Sequence, residues 1–169
     1  MPTDVSYVIY PHQGKQDLEK ALRATLPTIS KIPGAKILIT RDQDNEDCKI
    51  LKSRLLQIVE DNCVCDFRIR IICRELEAWF LGDLTAISKA YPRFKTKSIS
   101  GKTALRNVDT IQQPSKYLLK QIPEFSKRSS LPKLEVAESV SKNMTIEENK
   151  SESFNQTIRA VKELIGTTP

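Results

Sequence analysis

Histidine is almost absent from this chain. His12 is the sole one in 169 residues, which excludes a metal centre built from clustered imidazoles. Cysteine is sparse too: Cys48, Cys63, Cys65 and Cys73 are scattered, so no disulfide framework is expected and the thiols should be reduced in a cytosol. Cys63 and Cys65 lack a second Cys or His pair at zinc-ligand spacing and read as structural thiols. Long apolar runs are missing. The stretch from Ile69 to Cys73 is broken by Arg70, and nothing approaches the ~20 residues that a membrane span requires. No apolar run follows a basic patch near Met1, so no signal peptide is expected. These absences describe a soluble, cytoplasmic protein with no membrane partner. Glycine is scarce, and no phosphate-binding loop forms around Gly101-Lys102-Thr103, because Thr96 stands where its first glycine belongs. A calcium loop starting at Asp42 also fails, with Asp47 in place of the turn glycine and Ser53 in place of the bidentate glutamate.

What is present is a length that suits one self-sufficient core. The expectation is a single domain over residues 1–169, with an α/β core in 1–90 and a basic loop and helical elaboration in 91–169. The formal charge of +6 favours polyanionic partners such as DNA or RNA, since neutralised phosphates release their counterions. A merely basic protein remains the alternative, and self-association is left open.

Residues 5–10, rich in β-branched and aromatic side chains, read as a buried strand. A helix over 16–26 follows, with Leu18, Leu22 and Leu26 on one face, stopped by Pro27. Residues 36–40 form a second strand, which ends abruptly in the charged segment from Arg41 to Asp47. Leu51, Leu55, Ile58 and Val59 then repeat with helical period, alongside Ile50, and 67–73 reads as a third strand. Strands alternating with helices imply parallel pairing through right-handed crossovers. Ligands of such sheets bind beyond the carboxyl ends of the strands, so loops 11–15, 41–46 and 74–77 should converge. The second half reads as helices over 76–81, 84–90 (capped by Asp83), 114–122 and 152–165, with a basic loop at 93–102. Residues 123–150 carry no clear pattern.

Asp42 and Asp44 sit at a strand end, where a turn can aim both carboxylates at one hard cation. An acid-rich turn formed only for its loop preference is the competing reading. Glu75 or Glu77 could complete an acidic cluster, or simply place negative charge at a helix N-terminus. His12 could assist proton transfer or merely cap the first loop. Lys15, Arg41 and Arg74 flank the same edge as phosphate-binding candidates, or as solvated charges. Lys95, Lys97, Lys102 and Arg106 offer a basic track that would position a nucleic-acid backbone. Trp79 and Phe80 read as core, and Asn149, Ser151 and Ser153 as capping residues before the last helix.

A strand ending in a Glu-Gly-Lys-Ser-Asp-like turn, then a strand ending in Asp-x-Asp, is the pattern of Toprim domains in topoisomerases, primases and overcoming-lysogenization-defect nucleases. The counterparts here run from His12 through Gln13, Gly14 and Lys15 to Asp17, and from Asp42 to Asp44. More narrowly, the chain resembles a small Toprim-like family of unknown function found near ATPases in bacterial defence loci. Residues 12–17, 41–52, 74–84 and 149–154 carry that likeness, which spans most of the chain.

The resemblance implies a Toprim-like open sheet, mainly parallel, with crossover helices and a helical C-terminal half. It also implies a nuclease component, active in anti-phage defence beside an ATPase, in which Asp42 and Asp44 hold Mg²⁺ or Mn²⁺ and Glu75 or Glu77 is an outer ligand. His12, Gln13 and Lys15 fall in the family's catalytic turn. Gln13 departs from the pattern, which has glutamate there. A neutral amide cannot supply that charge or accept a proton, so cleavage is expected to be weak or absent. The rival expectation is a non-catalytic nucleic-acid-binding or sensor subunit. A dehalogenase-type phosphatase or a nucleotide-sugar transferase would also use strand-end Asp-x-Asp, but the former normally wants Thr or Val where Glu46 stands.

Overall fold

The computed structural model describes residues 5–166. In chain order these form α1 (Lys15–Ile29), β1 (Lys36–Asp42), α2 (Cys48–Glu60), β2 (Asp66–Ile72), α3 (Glu77–Leu81) and α4 (Leu84–Ala90). Helices α5 (Thr96–Ile99), α6 (Pro114–Gln121), α7 (Lys133–Ser141) and α8 (Glu152–Ile165) make up the second half, with short 3-10 turns between them. The two strands pair in parallel, with α2 as their connection. The protein is therefore mixed α/β with a small sheet, and among the described residues no helix is long and apolar enough to cross a membrane. Contacts divide the chain into two units: residues up to 41, 47–70 and from 159 onward in the first, and 42–46 with 71–158 in the second.

In the first unit, α1 packs on α2. Leu18, Leu22 and Leu26 are buried from one side, and Leu51, Leu55, Ile58 and Val59 from the other, each apolar set recurring at helical spacing. Asp47 caps α2 by accepting hydrogen bonds from the backbone N–H groups of Lys49 and Ile50, at 2.9 and 3.0 Å, and those bonds hold its carboxyl below the usual range. Ile50 itself is exposed. Pro27 does not stop α1, as the sequence suggests. It lies inside the last turn, where its missing N–H removes a single bond, and Ser30 still donates to Leu26 O at 3.0 Å.

Residues 5–10 correct a second expectation, because they carry no regular structure. Tyr7, Val8 and Ile9 are 78, 74 and 75% exposed. β-branched composition favours a strand only where a ladder partner and an apolar surface receive it, and the sheet ends at two strands.

The second unit is organised by one apolar cluster. Phe80 and Leu81 from α3, Ile87 from α4, Leu118 from α6 and Val136 and Val140 from α7 all enter it. Asp83 caps α4 through Ala86 N–H at 2.9 Å, and its other oxygen accepts Thr145 N–H at 3.2 Å. The segment at 93–102 is less open than its charge suggests, since Phe94 and Ile99 are buried around the short α5. Residues 123–150, unreadable by periodicity, supply α7.

A clamp ties α3 to the first turn of α8 and the segment before it. Asn149 Nδ2 donates to Trp79 O at 2.8 Å, Lys150 N–H to Gly82 O at 3.0 Å, and Trp79 Nε1–H to Ser153 Oγ at 2.8 Å. Gly82 is required by this approach, because a Cβ there would run into the Asn149 side chain and Ser151 N. Gly82→Ala should therefore destabilise the protein by about 1–3 kcal/mol, read as a lower midpoint in urea unfolding. An unchanged midpoint would mean that the clamp opens at little cost.

Candidate functional site

The acidic residues are positioned by two turns, one leaving each strand. Beyond β1, Gln43 N–H donates to Ile72 O at 2.8 Å and Asp44 N–H to Arg74 O at 2.9 Å, so the parallel ladder continues past the strand ends. Asp44 and Arg74 both hold left-handed backbone, with φ of 52° and 60°. Aspartate tolerates that region, whereas arginine there is uncommon and stores local strain. Side chains lock the geometry. Arg74 Nη1 donates to Asp44 O at 3.2 Å, Arg74 N–H to Gln43 Oε1 at 3.4 Å, and Gln43 Nε2 to Glu46 O at 3.0 Å.

Asp42, Asp44, Glu75 and Glu77 then gather with the Lys133 ammonium in the second unit. Glu77 is almost fully buried, at 3% exposure. Lys133, the first residue of α7, reaches between two acids, with Nζ 3.4 Å from Glu75 Oε1 and 3.3 Å from Glu77 Oε1. Glu75 Oε2 accepts Ser115 N–H at 2.9 Å, near the start of α6. Burial pushes the Asp42 carboxyl up to about 6, and the nearby charge of Glu77 adds to the rise. Lys133 opposes it, while Asp44 and Glu75 reinforce it. Glu75 behaves oppositely: burial raises its carboxyl, but the bonds from Ser115 and the Lys133 charge leave it below the usual range. Lys133 in turn stays charged beyond its ordinary range, since Glu77 and Glu75 outweigh its desolvation. Among the described residues no three His, Cys, Asp or Glu side chains are close enough to form a preformed metal cage.

A cleft of about 240 Å³ adjoins this cluster. Asp44 and Asn45 line it from the first turn, Arg74 and Glu75 from the second, and Gln112, Gln113, Ser115 and Lys116 from the approach to α6.

The remaining candidates fall elsewhere. His12, Gln13 and Lys15 belong to the first unit, where Gln13 N–H donates to Asp17 at 2.9 Å and His12 Nδ1 lies 3.4 Å from the same carboxylate. Arg41 is buried and bonded to Glu19 at 2.9 Å, with Arg54 on that carboxylate at 3.2 Å, so its guanidinium serves packing within its own unit. Lys95, Lys97, Lys102 and Arg106 are exposed, and Lys102 Nζ donates to Gln121 Oε1 at 3.3 Å. The Cys63 and Cys65 sulfurs lie 3.8 Å apart, and burial together with Cys63 pushes the Cys65 thiol up to about 11, which makes it a poor nucleophile. Trp79 stacks edge-on against Phe154 at 5.3 Å.

Ser151 Oγ caps α8 by accepting Phe154 N–H at 3.1 Å, while Asn149 and Ser153 hold the clamp. Asp109 accepts from Ser151 Oγ at 2.7 Å and from Ser153 N–H at 2.9 Å. Lys133, Asp109 and Gln43 were missed by sequence reasoning, and only Gln43, lying between two flagged aspartates, had a local signal.

A family model described as a domain of unknown function (DUF4276) matches residues 13–162. No curated protein and no solved structure matches the chain.

The Asp42 pKa carries a sign that can be measured. An acid raised from 3.8 to about 6 in the fold binds more protons folded than unfolded across that interval. Its contribution to stability is thus largest near pH 4 and is lost as pH rises toward 6, by up to about 3 kcal/mol. Asp42→Asn should melt above the wild type near neutral pH and alongside it near pH 4. A variant melting lower than wild type at neutral pH would contradict a burial-driven cause.

Proposed function

We propose, from the premise that this chain belongs to the DUF4276 family of domains of unknown function, that its second unit is a divalent-metal-dependent nuclease component acting on nucleic-acid phosphodiesters. The observation that carries this reading is Asp42, a carboxylate held half-buried beside the buried Glu77, with its pKa raised to about 6. Burial first, and then the neighbouring charge of Glu77, disfavour its ionised form, and a bound cation relieves both.

The donor set fits a hard ion. Mg²⁺ is commonly held by one or two carboxylates, with waters and substrate phosphates completing its shell, so a preformed cage is unnecessary. Asp42 and Asp44 would hold it, with Glu75 or Glu77 as an outer ligand. A bound Mg²⁺ or Mn²⁺ supplies polarisation of the phosphoryl oxygen and an acidified water. The chain's own part is to aim Asp42 and Asp44 through the locked turns, and to keep one cationic group, Lys133, at the edge where phosphate charge accumulates. Arg74 lies on the same turn and orients the backbone of the substrate. The setting we infer, beside an ATPase in anti-phage defence, is supported by the sequence resemblance alone, and no role here is assigned to Gln13.

A second reading follows from Lys133 itself. Its ammonium already bridges Glu75 and Glu77, a cation built into the chain where a metal would otherwise sit, which favours a subunit that binds nucleic acid without cleaving it. Calorimetric titration with MnCl₂ separates the two. Uptake by the wild type, weakened at least about tenfold (about 1.4 kcal/mol) in Asp42→Ala, supports the metal reading. No uptake, with polynucleotide binding retained in Asp42→Ala and indifferent to chelator, favours the second and sinks the first.

A further inference from the structure

The cleft beside the acidic cluster contains groups that metal chemistry leaves unused. Asn45, Gln112 and Gln113 present three carboxamides, each a donor and an acceptor, all exposed and, among the described residues, without a side-chain partner. Lys116 stands beside them, likewise without an ion pair.

The lining carries two carboxylates, Asp44 and Glu75, and two cations, Arg74 and Lys116. Their charges cancel, so the cleft has no surplus with which to select a bare phosphate. Its amides instead suit a neutral group rich in donors and acceptors. We propose that this cleft is a subsite for a single unpaired nucleotide of the substrate, its base edge read by Asn45, Gln112 and Gln113 and its phosphate met by Arg74 and Lys116.

Size supports one nucleotide. At about 240 Å³ the space falls below the ~300–1,000 Å³ of drug-sized ligand sites, which leaves no room for more than one nucleotide. A base can offer its Watson–Crick edge to such amides only when unpaired. No aromatic side chain lines the cleft, so recognition rests on hydrogen bonds rather than stacking.

The walls are preset. The Asp44–Arg74 backbone bond and the Ser115–Glu75 bond, both 2.9 Å, fix the three segments relative to one another, which lowers the ordering cost of binding. Asp44 and Glu75 belong to both cleft and cluster, so a nucleotide seated here lies next to the proposed metal site. The inference rests on the nuclease reading and names its substrate class as single-stranded nucleic acid.

The test uses fluorescence anisotropy of the full chain with labelled short single-stranded DNA, the matching RNA and a hairpin duplex, in EDTA and at fixed salt, since affinity depends on salt. Replacing two of the three amides (Gln112→Ala with Gln113→Ala) should weaken single-strand binding at least about fivefold, leave duplex binding unchanged and leave MnCl₂ uptake unchanged. Lys116→Ala should weaken binding and reduce the salt slope by about one. Gln113→Glu, which keeps the shape, guards against a folding artefact and should weaken binding equally. Nucleoside monophosphates should compete with the strand, and inorganic phosphate should not. Equal single-strand affinity in all variants, a preference for duplex, or equal competition by inorganic phosphate overturns the subsite. Absent MnCl₂ uptake with an intact amide effect overturns the metal reading and leaves the subsite standing.

Discussion

Two backbone hydrogen bonds, from Gln43 to Ile72 and from Asp44 to Arg74, set the position of every acidic group at the site. They extend a two-stranded parallel ladder into its exit turns, which keeps the Asp42 and Glu75 chain segments side by side. A strand pair of this size has little intrinsic stability. The turns are therefore held by side chains as well, with Gln43 and the Arg74 guanidinium bonding across them. The left-handed backbone of Asp44 and Arg74 persists because these bonds over-determine it.

Charge within the second unit is balanced unevenly. Lys133 lies far along the chain from the acids it meets, and its single charge offsets only part of that of Glu75 and Glu77, leaving Asp42 half-buried and hard to ionise. The same arrangement lets α7 stabilise the turn after β2, because an ammonium joins two carboxylates from one segment. Glu75 links this balance to α6 through Ser115. Cluster and cleft thus share a wall, and a change at one is felt at the other.

The segments 74–84 and 149–154 bond to each other. Trp79, Gly82 and Asp83 face Asn149, Ser151, Ser153 and Thr145, with Asp109 closing the serine pair. These residues build a polar clamp, where each buried group must be satisfied because the alternative is an unpaired polar atom out of water.

The sequence by itself determined the helices with a clear apolar period, the caps at Asp47 and Asp83, and the strand ends that lead into Asp42 and the Arg74–Glu77 turn, because each is set by neighbours within a few residues. It overread residues 5–10, where strand-forming composition met no partner, and it took Arg41 for an exposed cation when Glu19 draws it inward. Only the tertiary structure decided that Lys133 sits between Glu75 and Glu77, that Asp109 holds Ser151, and that Gln112, Gln113 and Lys116 line a cleft with Asn45. Those contacts join residues tens of positions apart, and no local period or spacing encodes which distant charge or amide a fold will bring to a turn.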